Sequence, residues 1–173
     1  MLDYNLLVSF RPGKEREAED EIVKRSMDAG ETVEDWNVSM DPELYLVRVS
    51  GDPKKAVQKI SRLAEHFPDV FAYTLQWIPV DEWISSDIDT VNSAVKKYAE
   101  QAGENASVDV RMLHTCSSDS SRITEVFEGM SHEGGDVKIV VRAVGDTASI
   151  SLLKNDEMMS INEIREKTGM RAV

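Results

Sequence analysis

The sequence predicts an α+β protein, on three observations. Strand-like and helical runs alternate in the order βαββαβ over the first 80 residues. Beyond Val80 the pattern changes and reads ααβαββ. The third observation is size, since 173 residues with 41% apolar content are enough for one good-sized domain or two small ones.

The elements follow in order. Apolar-rich runs at "YNLLVSF" (4–10), "TVEDWNVSM" (32–40), "ELYLVRVS" (43–50) and "VFAYTLQWIPV" (70–80) read as strands. A helix from Lys14 to Ala29 aligns Ala18, Ile22 and Ala29, and one from Pro53 to His66 aligns Ala56, Ile60, Leu63 and Phe67. Each helix therefore has a single stripe to bury. Both are expected to cover one side of a four-stranded antiparallel sheet, which makes residues 1–80 a ferredoxin-like sandwich.

The second domain is expected to span 81–156. "DEWISSDIDTVNSAVKKYAEQAGENA" has helical spacing at Ile84, Ile88, Val91, Val95 and Tyr98, with no strand before it. The strand "SVDVRML" (107–113), the loop "HTCSSDSS", a helix carrying Ile123, Val126, Phe127 and Met130, and the break "SHEGGD" follow. The hairpin "DVKIVVRAVGDTASISLL" (136–153) closes the domain. Residues 157–173 read as a tail with a short helix, because Ser160 and Glu163 have capping-box spacing before Ile164. No internal repeat or low-complexity linker separates these segments.

A net charge of −12 restricts the partners. Such a surface repels nucleic acid at long range, so RNA binding requires a local basic face. The single cysteine, Cys116, excludes an internal disulfide, and no Cys/His cluster has zinc-site spacing. No metal and no cofactor are expected. No run reaches the roughly 18 apolar residues of a membrane span, and the N-terminus lacks signal-peptide character, so a cytoplasmic location is expected.

The hairpin can be resolved residue by residue. A two-residue turn at Gly145-Asp146 pairs Arg142 with Ser149, Val141 with Ile150, Val140 with Ser151 and Ile139 with Leu152. Ile139, Val141, Ala143, Ala148, Ile150 and Leu152 then form an apolar side, while Lys138, Arg142, Ser149 and Ser151 share the other with Val140. Alternation in 107–113 directs Asp109 and Arg111 outward, where Arg111 joins the polar face. One reading is a solvated face whose cations discourage edge association. The other is a phosphate-binding strip in which the serine hydroxyls add donors and Lys138 and Arg142 lie about 13 Å apart. Spacing alone does not choose between them.

Features that suggest catalysis have simpler readings. His114 and Cys116 are two apart, but adjacency at one strand end rarely gives nucleophile–base geometry. "EREAEDE" (15–21) is a solvated helical face, and "SHEGGD" lacks the strand-before, helix-after context of a nucleotide loop. Trp36, Trp77 and Trp83 are candidates for base stacking or, more simply, for packing. No catalytic residue is assigned.

The order βαββαβ followed by ααβαββ, the strand ending "VRML", the entry "SSDSSRITEVF" and the hairpin ending "VGDTASISL" together resemble the THUMP family of tRNA-binding modules. The likeness is best to stand-alone members that assist acetylation of a cytidine in tRNA. It implies a non-catalytic adaptor that holds the acceptor end of tRNA and presents it to a separate acetyltransferase forming N4-acetylcytidine, because the chain stops soon after the hairpin. Arg111, Arg122, Lys138, Arg142 and Lys154 are the phosphate contacts this implies. Where family members commonly carry several basic residues after the strand, this chain has only His114 and Arg122. Two alternatives stay open: an acidic protein-interaction module without an RNA partner, and an adaptor for another tRNA modification such as thiolation.

Overall fold

The computed structural model describes residues 3–40, 43–103, 106–111 and 135–172. The chain divides into two units, residues 2–79 with 156–173, and residues 80–155. The α+β class expected from the sequence is what the structure has.

The first unit runs β1 (Leu6–Phe10), α1 (Glu15–Asp28), β2 (Val33–Met40), β3 (Glu43–Val49), α2 (Pro53–His66), a 3₁₀ turn (Pro68–Val70) and β4 (Thr74–Pro79). Its sheet has the order β2-β3-β1-β4, and a fifth strand, β9 (Met159–Ser160), pairs with the free side of β4. The short helix α4 (Ile161–Lys167) follows β9 directly. The segment read from sequence as a tail is thus integral to this unit, where Met159, Ile161 and Ile164 enter the core.

Alternation builds that core. Leu6, Val8 and Phe10 of β1, Tyr45, Val47 and Val49 of β3 and Trp77 of β4 face Ala18 and Ile22 of α1 and Val57, Ile60 and Ala64 of α2. One expected member is absent: Phe67 is 60% exposed, because α2 ends at His66 and Phe67 is its C-cap, off the helical stripe. The start of α2 is set by Asp52, whose carboxylate accepts from the Lys54 and Lys55 N–H groups at 2.9 and 3.4 Å.

Two buried charges hold the approach to β4. Glu21 accepts from the N–H groups of Ala72, Tyr73 and Thr74 at 2.8, 3.1 and 2.9 Å and from Thr74 Oγ1 at 2.6 Å. Arg165 of α4 donates through Nη2 to the carbonyls of Pro68 and Phe71, both at 3.1 Å. One side chain serves donors of this loop and the other serves acceptors, so the irregular approach to β4 is tied to both α1 and α4.

The second unit contains β5 (Glu82–Ser85), α3 (Ile88–Ala102), β6 (Ala106–Arg111), β7 (Val137–Val144) and β8 (Thr147–Lys154), in the sheet order β5-β8-β7-β6. Residues 82–85 correct the sequence reading, which placed them in a helix with no strand before it. Ile84 and Ile88 have helical spacing, but Asp87 caps the helix between them, its carboxylate accepting from the Thr90 N–H at 2.9 Å. The preceding residues add to the edge of β8, helped by Asp81, whose carboxylate accepts from the Leu152 N–H at 2.9 Å. The hairpin register matches expectation at every predicted pair. Strand β6 pairs with β7 in parallel, while the helix expected around 123–130 lies outside the described residues. Val91, Val95 and Tyr98 of α3 pack on Ile139, Val141, Ala148 and Ile150, the face predicted to be apolar.

Candidate nucleic-acid interface

The register places Ser107, Asp109 and Arg111 of β6, Lys138, Val140 and Arg142 of β7, and Ser149, Ser151 and Leu153 of β8 on the face turned away from α3. This face is not the open polar surface the sequence suggested. Arg142 is only 6% exposed, and Val140, Ser149, Ser151 and Leu153 are buried. Alternation tells which residues share a face and is silent on what covers it.

Arg142 makes three hydrogen bonds within the sheet. Its Nη2 donates to Asp109 Oδ2 at 2.6 Å, and its Nη1 donates to the carbonyls of Asp109 and Val141 at 3.2 and 2.9 Å. Burial pushes the Asp109 carboxyl up, but hydrogen bonding and charge from Arg142, with smaller help from Arg111 and Lys138, hold it below the ordinary carboxylate range. Burial also lowers the Arg142 guanidinium, from a value so high that it stays cationic. The serines are occupied as well: Ser149 Oγ donates to Arg142 O at 3.5 Å, and Ser151 Oγ accepts from the Asp81 N–H at 3.2 Å.

The sequence-predicted cations therefore part company. Arg111, Lys138 and Arg142 gather around Asp109, a local surplus of positive charge. Of these, Arg111 reaches solvent, its side chain 63% exposed and its Nε 3.8 Å from Asp109 Oδ1, while Lys138 is half-buried. Lys154 pairs with Val137 and so lies on the opposite face of the sheet. Arg122, with His114 and Cys116, lies outside the described residues. The tryptophans divide too, since Trp77 is completely buried with its Nε1 donating to Thr74 Oγ1 at 3.0 Å, and Trp36 is 43% exposed.

Sequence reading missed a second positive surface. On α2, Lys55, Lys59, Arg62 and His66 follow one another at spacings of four, three and four, and all are exposed. They form a stripe about 16 Å long opposite the buried Val57–Ala64 face. Lys59 Nζ donates to Ala29 O at 2.9 Å and lies 3.5 Å from Glu31 Oε1. The helix carries four Lys and Arg residues against a single carboxylate, Glu65, whereas α1 carries more acidic than basic groups. The signal was present in "PKKAVQKISRLAEH", on the polar side of the helical wheel whose apolar side gave the core. Among the described residues, no group of three or more His, Cys, Asp or Glu side chains is placed to hold a metal ion.

No protein-family model matches the chain, and no curated protein matches it. Solved structures do. PH1313 from Pyrococcus horikoshii OT3 is similar in fold at 12% identity, with a TM-score of 0.52 over 87% of this chain and 55% of that one. This chain thus spans little more than half the length of PH1313. A 4-thiouridine synthetase in complex with RNA and ATP aligns at 13% identity and a TM-score of 0.40, over 91% of this chain and 42% of that one. A predicted N6-adenine-specific DNA methylase from Listeria monocytogenes aligns at 14% identity and a TM-score of 0.46, over 86% and 40%.

Proposed function

We propose that this chain is a non-catalytic RNA-binding adaptor that holds the acceptor end of tRNA and presents it to a separate acetyltransferase forming N4-acetylcytidine. The observation that carries the reading is the segregation of charge: a protein of net charge −12 gathers cations along α2 and around the β6–β7 rim. Phosphate contacts require such local surfaces, and an acidic remainder limits non-specific binding. The THUMP-like pattern of the second unit supports tRNA as the RNA. Arg111, Lys138 and the α2 stripe make the contacts in this proposal, joined by Arg122, while Lys154, on the opposite face of the sheet, is left out of it. Arg142 has a different part. It neutralises Asp109, which would otherwise place a free carboxylate between Arg111 and Lys138 and repel the RNA backbone.

The competing reading, a protein-interaction module with no RNA partner, is favoured by the burial of Arg142, since that removes one expected contact. A tRNA titration at low and moderate salt, with and without the acetyltransferase of the same organism, separates them. The adaptor reading expects binding that weakens with salt, and a slope of log K on log salt that flattens by about 1.4 to 1.8 when Arg111 and Lys138 are both replaced by Ser. Absence of tRNA binding in both mixtures refutes it. Acetylation of tRNA by the isolated chain with acetyl-coenzyme A refutes its non-catalytic part.

A further inference from the structure

We propose that the open edge of β2 is a docking site for an extended segment of a partner protein in which basic and apolar residues alternate. The inference goes beyond the RNA reading and does not depend on it. Strand β2 is the terminal strand of its sheet, paired only on the β3 side among the described residues. A terminal strand leaves alternate N–H and C=O groups without sheet partners. Natural edges are commonly blunted by Lys or Pro, yet 33–40 reads "VEDWNVSM" and contains neither. Its irregularity is a bulge between Val33 and Asp35, after which Trp36, Asn37, Val38 and Ser39 pair regularly with Val47, Leu46, Tyr45 and Leu44.

The side chains mark one face of this edge. Trp36 and Val38 are 43% and 40% exposed and point to the helix side, since their partners Val47 and Tyr45 belong to the core beneath α1. Trp36 borders a shallow groove whose other walls are Val33, Tyr45, and Ile22 and Val23 of α1. One turn beyond Val23, Met27 is 69% exposed. A shallow trough beside an open strand fits an added strand, whose backbone pairs with the edge while alternate side chains settle against Trp36 and Val38.

Charge selects the occupant. Glu19 lines the groove, Glu34 is half exposed at the strand with Arg48 at 3.3 Å, and Asp35 accepts from the Trp36 N–H at 3.0 Å. Arg48 balances Glu34, so Glu19 and Asp35 leave this edge negative, and on a chain of net charge −12 they disfavour a second copy of the same protein and favour a cationic segment.

The test is fluorescence anisotropy with a labelled eight-residue peptide of alternating Lys and Val, using the full chain. The proposal expects saturable binding, at least tenfold weaker for the Glu/Val counterpart and for a peptide N-methylated at alternate amides. Trp36→Ser and Val38→Lys, both at exposed positions, should each weaken binding at least tenfold, and amide exchange should slow at 36–39. The methylated peptide keeps the test decisive if either variant fails to fold. Absence of saturable binding, equal affinity for the acidic peptide, or indifference to methylation overturns the proposal. Dimers of the chain that Val38→Lys dissolves would assign the edge to a second copy instead.

Discussion

Replacing Asp109 with Asn tests what holds the face of β6 and β7 together. The substitution keeps the size of the side chain and removes its charge, leaving the Arg142 guanidinium with two backbone carbonyls and no counter-ion. Breaking a buried pair costs about 3–5 kcal/mol. Arg142 meets that condition with a side chain 7% exposed, whereas Asp109 is 27% exposed, so water replaces part of the lost interaction. A loss of about 2–3 kcal/mol is the discounted expectation. The pH dependence has a fixed sign. A carboxyl depressed in the folded state contributes stability that is present above its unfolded value near 3.9 and lost as pH falls through the folded value, so the gap between wild type and variant should close below about pH 4. Amide exchange at Val140–Ala143 across pH measures this opening locally. A double variant with Arg142→Met, which removes both charges, should recover part of the loss. Stability within about 0.5 kcal/mol of wild type at pH 7, or a gap that does not begin to narrow as pH falls below about 4, would refute the reasoning.

Three further expectations concern other parts of the chain. Glu21→Ala deprives three backbone N–H groups and a hydroxyl of their acceptor and should destabilise the first unit by about 3 kcal/mol, with Gln restoring only part, as denaturant unfolding would show. Asp87, drawn down to about 2 chiefly by the Thr90 N–H and also by the Ser85 hydroxyl, should titrate near that value by carboxyl NMR. Its cap on α3 is present above the ordinary value of 3.8 and lost as pH falls through about 2, so the Thr90 amide should lose protection only there. Truncation after Asn155 removes Met159, Ile161 and Ile164 from the core together with the Arg165 bonds, and should abolish cooperative unfolding of the first unit.

How far the sequence could be read depended on the physical rule in use at each place. Gly145-Asp146 fixed the hairpin because a two-residue turn permits one register, and the same parity already implied that Lys154 faces away from Lys138. The strand at 82–85 was hidden because Trp83 and Ile84 belong to a short edge and run without a break into the spacing of α3. The place of 156–173 was unreadable because two residues of strand carry no periodicity, and only the pairing of Gln76 and Trp77 with Ser160 and Met159 fixes it. The burial of Arg142 is not legible in the alternation, because exposure is a property of whatever covers the sheet face.

The route of the chain through its first unit bears on how the protein folds. Residues 80–155 interrupt that unit between β4 and β9, so Trp77 and Met159 can pair only after a long intervening stretch has been spanned. Closing such a loop in a disordered chain is entropically costly. The interruption shortens its own loop once folded, because Asp81 at its start bonds with Ile150 and Leu152 near its end. Formation of the inserted unit thereby raises the effective concentration of the last strand at its docking edge, and the final step in assembling the first unit becomes a nearly local one.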